Sequence, residues 1–180
     1  APDHLVMDLF WMPVVEPYPI SEPFATALVL DDQPPAPVGA EARRVRTFEE
    51  FMAAVEVQRE AFGVSAAGIS QRRAELADQW ESSSMIMHAV WIDGRLVGAG
   101  HCAATPYGLA LFGGATLPNA RGRGAYRALI HARWEHARAS GAPALLTQAG
   151  AMSRPILERL GFRRIGHIHM LVDDFGGSST

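Results

Sequence analysis

The stretch Leu117–Ile130, LPNARGRGAYRALI, joins an apolar run to a helical run through two glycines, Gly122 and Gly124, a single residue apart. Glycine permits the tight turn such a junction needs. A helix beginning near Ala125 aims its free N–H groups and the positive end of its dipole back at that turn, which makes it an anion site. Arg121, Arg123 and Arg127 add charge-assisted donors at the same point, and several cations suit a pyrophosphate better than a lone carboxylate.

Outward from this loop the chain alternates short strands and helices. Toward the N-terminus, LALFGGATL (109–117) leads into the loop, and MIMHAVWI (85–92) is joined to RLVGAGHCAA (95–104) through Asp93-Gly94, a two-residue hairpin signal. Three antiparallel strands are expected there. The Gly113-Gly114 pair interrupts the last of them and reads as a bulge. Earlier still, Thr47 and Glu50 form a capping box for a helix ending at Gly63, and a second helix is expected over 70–81 with Leu76 and Trp80 on its buried side. Toward the C-terminus, Tyr126, Ile130 and Trp134 mark one stripe of a helix over 125–139. PALLTQAG (143–150) reads as a buried strand, Ser153 as the cap of a short helix, and RRIGHIHMLV (163–172) as a returning strand.

The first forty residues are different in kind. Seven of the 12 prolines fall at 13, 17, 19, 23, 34, 35 and 37, around a strand-like run ATALVL at 25–30. Proline removes ladder donors, so residues 1–40 are expected to form an arm packed on an edge, or the tail of a preceding unit, contacting a second copy or a preceding domain. A compact domain is then expected over 41–175, with a flexible tail at 176–180.

Composition narrows the functional classes. With 180 residues, 48% hydrophobic and 19% charged, the chain is sized for one globular domain with a substantial core. A net charge of −3 gives no bulk attraction to nucleic acid or acidic membranes, although ARRVR (42–46) is a local basic spot. Cys102 is the sole cysteine, suited to buried filler in a reducing compartment. No apolar run approaches the roughly 20 residues of a bilayer span, so a cytoplasmic protein without membrane or nucleic-acid partners is expected.

From Glu41 onward, the order of strand, two helices, three antiparallel strands, anion loop with helix, strand, helix and strand resembles the GNAT superfamily of acyl-CoA N-acyltransferases. The motifs agree with it. Arg121, Gly122, Arg123, Gly124, Ala125 and Tyr126 occupy the places of that family's pyrophosphate loop, with Tyr126 standing where the pattern has Gly or Ala. LERLGF (157–162) resembles the family's junction between the last helix and strand. A dinucleotide-binding loop would need a third glycine where Arg127 stands.

The resemblance implies an α/β (α+β) fold, a mixed and mostly antiparallel sheet flanked by helices. It also implies acetyl-CoA as co-substrate and direct transfer of the acetyl group to an amine of a small molecule or peptide. Cofactor contacts are then expected from Ala115, Thr116 and Leu117, one of which would offer a backbone N–H to the thioester, and from Arg121, Gly122, Arg123, Gly124, Ala125, Tyr126 and Arg127. Catalytic side chains are harder to assign. The position where relatives often carry a general-acid Tyr is Leu157, and 109–117 holds no carboxylate to serve as base. Ser153, His101 and Glu60 are the candidates, beside His88 and Glu56. His167 and His169 share a strand face without a third ligand at suitable spacing, so no metal is expected. The missing acid and base also fit a different class, a catalytically silent acyl-CoA-binding regulatory or scaffolding module. Acceptor choice is assigned to the segment 62–70.

Overall fold

The computed structural model describes residues 25–64 and 73–169. The first 24 residues of the expected arm, the start of the second helix at 70, most of the segment assigned to acceptor choice and the tail at 176–180 lie outside them. In chain order the elements are β1 (Ala25–Leu30), β2 (Glu41–Arg44), α1 (Phe48–Ala61), α2 (Arg73–Ser82), β3 (Ile86–Ile92), β4 (Arg95–Thr105), β5 (Gly108–Thr116), a 3-10 turn at Pro118–Ala120, α3 (Ala125–Ala139), β6 (Leu145–Ala149), α4 (Arg154–Arg159) and β7 (Arg163–Ile168). The strands form one sheet in the order β2-β3-β4-β5-β6-β1-β7, in which only the β5–β6 pair is parallel. This is the mixed, mostly antiparallel sheet that the family resemblance implies.

Local chemistry sets the element ends. Thr47 Oγ1 accepts from Glu50 N at 3.2 Å, while the Glu50 carboxylate accepts from Arg46 N at 2.9 Å and pairs with Arg43 at 2.6 Å. The box therefore closes one residue earlier than Thr47 and ties α1 to β2. Asp93 (φ 51°) and Gly94 (φ 73°) are both left-handed, as the tight β3–β4 hairpin demands. Ser153 departs from expectation. It heads α4 with helical φ of −87° and ψ of −30°, so its hydroxyl cannot fold back as a cap and makes no such bond.

Two layers of helix sandwich the sheet. On one face Phe51, Met52 and Ala54 of α1 and Leu76 of α2 pack on Met87, Ala89 and Ala99. On the other, Ile130, Trp134 and Ala137 of α3 and Leu157, Leu160 and Phe162 around α4 pack on Leu28, Leu30, Cys102, Leu109, Leu111 and Leu145.

The run ATALVL, assigned above to an arm on the sheet's edge, is instead an interior strand. β1 pairs antiparallel with β6 on one side and β7 on the other, and Leu28 and Leu30 are 0% and 1% exposed. The prolines flank this run without entering it, so its own ladder is intact. What the local pattern could not show is that its partners lie more than a hundred residues further on.

Leu28→Ala should therefore cost about 3 kcal/mol of unfolding free energy, as for large-to-small changes in a dry core, read by urea titration. A proteolytic cut between 33 and 38 should leave β1 attached, co-eluting with the remainder on native gel filtration. Glu50 supplies a pH test. Its hydrogen bond from Arg43, then those from the backbone, hold its pKa at about 2 against an ordinary 4.5. The stability it lends is thus complete above pH 4.5 and is lost as pH falls toward 2. Measured by thermal melts, the advantage of the parent over Glu50→Gln should shrink across that window.

Candidate functional site

The site is built around an interruption in β5. Facing β4, Ala99 pairs with Ala115 and His101 with Phe112, so two steps on β4 match three on β5, and the extra residue falls at Gly113-Gly114, opposite Gly100. Gly113 has a left-handed φ of 55°. The expected bulge is present. On its other side β5 pairs with β6 only over Leu109–Leu111, ending at Leu111 opposite Thr147, so beyond that point the two strands part.

Alternation shows which donors this leaves open. Leu109 N–H goes to Ala144 O, on the β6 side, whereas Leu117 N–H goes to Val97 O, on the β4 side. Eight residues apart, they would point the same way in an uninterrupted strand, and the bulge reverses them. Counting forward from Leu109, Gly113 N–H faces the vacated β6 side. Counting back from Leu117, so does Thr116 N–H, while Ala115 N–H faces β4. Of the three positions named as thioester donors, Thr116 keeps an open N–H, Ala115 turns away and Leu117 is engaged.

The loop continues from this strand. Gly122 (φ 75°) and Gly124 (φ 84°) are left-handed, and Gly124 is the N-cap of α3. The first helical bond runs from Ala128 N to Gly124 O at 3.0 Å, so the N–H groups of Ala125, Tyr126 and Arg127 have no partner within the helix. The arginines are not gathered at one point. Arg121 Nε donates to Thr116 O at 3.4 Å, and Arg123 pairs with Asp93 at 2.8 Å on the β3–β4 turn. Arg127 is exposed and forms no ion pair among the described residues. Both partners of the Arg123 pair are more than half exposed, so that pair is weak and an arriving anion can compete for it. Tyr126, at the position of the pattern's glycine, turns inward. Its ring lies beside Gly114 and Arg133, and burial raises its pKa, partly offset by Arg133.

The candidate acid–base residues separate by face. His101 lies on the α1 side of the bulge, stacked on Phe112 with ring centroids 5.8 Å apart and close to Gly113. Burial, and secondarily the Arg133 charge, lowers its pKa, so it is neutral at pH 7 and able to accept a proton. His88 lies on the α3 side, 1% exposed, edge-on to His136 and 3.8 Å from Cys102 Sγ. Its pKa is held at about 3, by burial first and then by Arg133, His136 and Arg44, and it lines a hollow between β2 and α3 rather than the bulge. Glu56 and Glu60 point to solvent from α1. Ser153 stands half-buried at the start of α4. No cluster of metal-ligating side chains occurs among the described residues.

Two residues at the bulge escaped the sequence reading. Gln58 Nε2 of α1 donates to Gly113 O at 2.5 Å. Arg133 of α3, 1% exposed, donates through Nη2 to Phe112 O at 3.3 Å, and its Nε has no partner. Each was signalled by a polar side chain on an apolar stripe, Gln58 after Phe51 and Ala54, Arg133 after Leu129 and Ile130. Two open hollows lie elsewhere, one beside Trp91 and the β3–β4 turn and one between β2 and the outer face of α3.

A bulged strand that parts from its parallel neighbour and runs straight into a glycine turn at a helix N-terminus defines the fold of the GNAT acyltransferases. The sequence profile described as "Acetyltransferase (GNAT) family" matches residues 48–162, and the chain belongs to that family. A GCN5-related N-acetyltransferase from Kribbella flavida is 20% identical with a TM-score of 0.57, over 79% of this chain and 55% of its own. A tandem GNAT protein from the clavulanic acid biosynthesis pathway is 18% identical with a TM-score of 0.59, over 82% and 52%. AAC(6')-Iy, solved with the bisubstrate analogue CoA-S-monomethyl-acetylneamine, is 14% identical with a TM-score of 0.59, over 76% and 99%. The chain thus spans about half the length of the first two. No curated protein matches it.

The glycines of the loop differ in what they permit. A methyl group at Gly124 would stand 2.7 Å from the Val38 carbonyl oxygen, whereas one at Gly122 would meet nothing. Gly124→Ala should therefore lower the melting temperature through backbone strain and this clash together, while Gly122→Ala should cost about 1 kcal/mol for its φ alone, both read by calorimetric melts.

Proposed function

We propose that this protein is an acetyl-CoA-dependent N-acetyltransferase that passes the acetyl group directly to an amine of a small molecule or peptide. The observation carrying this reading is the continuity of open donors, from Gly113 and Thr116 on the vacated side of β5 to the free N–H groups at the head of α3. A pyrophosphate held at Gly122–Arg127 leads its pantetheine arm along β5, where Thr116 N–H pairs with it as a neighbouring strand would. The thioester then reaches the bulge, where Gly113 N–H accommodates the developing oxyanion. His101, neutral and on the same side as α1, takes a proton from the bound ammonium, freeing the amine to attack the carbonyl carbon, or from the tetrahedral adduct that the attack forms. Thiolate leaves as its bond to the carbonyl carbon breaks, and a proton returned through water completes free CoA. We assign this activity to the cytoplasm, where Cys102 stays reduced, and its partner to the acceptor alone, without nucleic acid or membrane.

Two observations favour a second reading. Tyr126 fills space beside Gly114 that the family's pattern leaves small, and β5 carries no carboxylate. A CoA-binding module without turnover is compatible with both.

Calorimetric titration with CoA, followed by thiol release from acetyl-CoA against a panel of amines, separates the readings. Binding with turnover supports the enzyme, and binding without turnover supports the module. Gly122→Glu, with open space around its side chain, should keep the fold and lower CoA affinity by at least about 100-fold by placing a carboxylate among the phosphates. With the amine that the panel returns, the acid limb of kcat/KM should lie below pH 6.5, because only neutral His101 accepts a proton and its pKa is lowered. His101→Gln should reduce kcat by roughly 100-fold and remove that limb.

A further inference from the structure

Arg133 is a physical anomaly. Among the described residues it is fully buried with no ion pair, makes one side-chain hydrogen bond, to Phe112 O, and leaves Nε unpaired. Its titratable neighbours among the described residues are two histidines, whose pKa values burial and its charge depress, and the neutral Cys102 and Tyr126, so none of them carries a compensating negative charge. The sheet makes room for this cation at some cost. A methyl at Gly100 would lie 1.8 Å from Arg133 Nη2, and one at Gly114 3.4 Å from Nη1. A buried uncompensated charge destabilises a fold, and an apolar side chain of similar length would serve packing better.

What Arg133 touches gives the reason. It holds the carbonyl of Phe112 from the α3 face, and Gln58 holds the next carbonyl, Gly113 O, from the α1 face. Two successive peptides of the bulge are thus pinned from opposite sides of the sheet. In a trans peptide the N–H points opposite to the C=O, so drawing Phe112 O toward α3 drives Gly113 N–H the other way, toward the α1 side and the vacated edge. A cation on the carbonyl end of that peptide also polarises it, making its N–H a stronger donor.

We propose that Arg133 and Gln58 are positioning residues that orient the bulge, and that Arg133 charges the Gly113 N–H for polarising the thioester carbonyl. This rests on the acyltransferase reading, and the test keeps the two apart. Acetyl-CoA carrying 13C at the thioester carbonyl is bound to the full chain, and its infrared stretch is compared with that of the free ligand. The parent should shift the band to lower frequency. Arg133→Met should reduce that shift to less than about half, with CoA affinity within about threefold and a melting temperature equal to or above the parent's, because an unpaired buried cation has gone. Gln58→Leu, half-buried and safe for folding, should reduce the shift in the same direction. If Arg133→Met melts lower and the full shift survives in both variants, Arg133 serves packing alone and the inference is overturned. A parent that binds acetyl-CoA with no shift also overturns it while leaving CoA binding intact. A parent that binds no acetyl-CoA overturns the acyltransferase reading itself.

Discussion

Hydrogen bonding between the parallel strands β5 and β6 stops at Leu111 and Thr147, and the rest of the site depends on that stop. Had the ladder continued, Gly113 and Thr116 would spend their N–H groups on β6, and no edge would remain for a ligand. The bulge enforces the break. An extra residue at Gly113-Gly114 reverses the alternation, so donors on either side of it face the same vacated flank. Glycine is needed at Gly113 for its left-handed φ and at Gly114 because the Tyr126 ring and the Arg133 guanidinium crowd that side.

The two faces of the sheet divide the chemistry. On the α1 side, His101, Gln58 and the exposed end of α1 surround the bulge, with a histidine left neutral by partial burial. On the α3 side lie Arg133, Tyr126, His88 and Cys102, a closed layer in which burial raises the thiol to about 11 and holds the imidazole near 3. His88 and Cys102 do not titrate near neutrality and are closed to solvent. The influence of that layer passes through the sheet at the bulge, where Arg133 holds the Phe112–Gly113 peptide and Gln58 the next one.

How much of this was legible follows the range of the signals. Turns, the Thr47 cap and the glycine bulge are written in residues next to one another, and the glycine turn before α3, the Asp93-Gly94 hairpin and the Gly113-Gly114 break were all readable on that ground. Pairing across long separations is not local. The run at 25–30 carries a strand pattern, but nothing in its neighbourhood names β6 and β7 as its partners, and the flanking prolines argued for an edge. Gln58 and Arg133 lie between these cases. Each breaks an apolar stripe, which marks it as unusual, yet only the crossing of α1 and α3 over the same two peptides gives that oddity a purpose. The arginines of the loop show the opposite error. They are adjacent in sequence, but Arg123 is drawn to Asp93 and Arg121 to Thr116 O.

The interior place of β1 has a consequence for how the chain is made. Its partners occupy 145–149 and 163–168, so on the ribosome β1 emerges well over a hundred residues before anything it pairs with. At typical synthesis rates that is on the order of ten seconds with Leu28 and Leu30 uncovered. Helices α1 to α3 and the β3–β5 meander can assemble meanwhile, since their contacts are close in sequence. A gap then stands open beside β6 until the oldest of these strands is threaded into it. Completion of the sheet is therefore the late, concentration-sensitive step, and in that interval β1 of one nascent chain is as well matched to the gap in another as to its own.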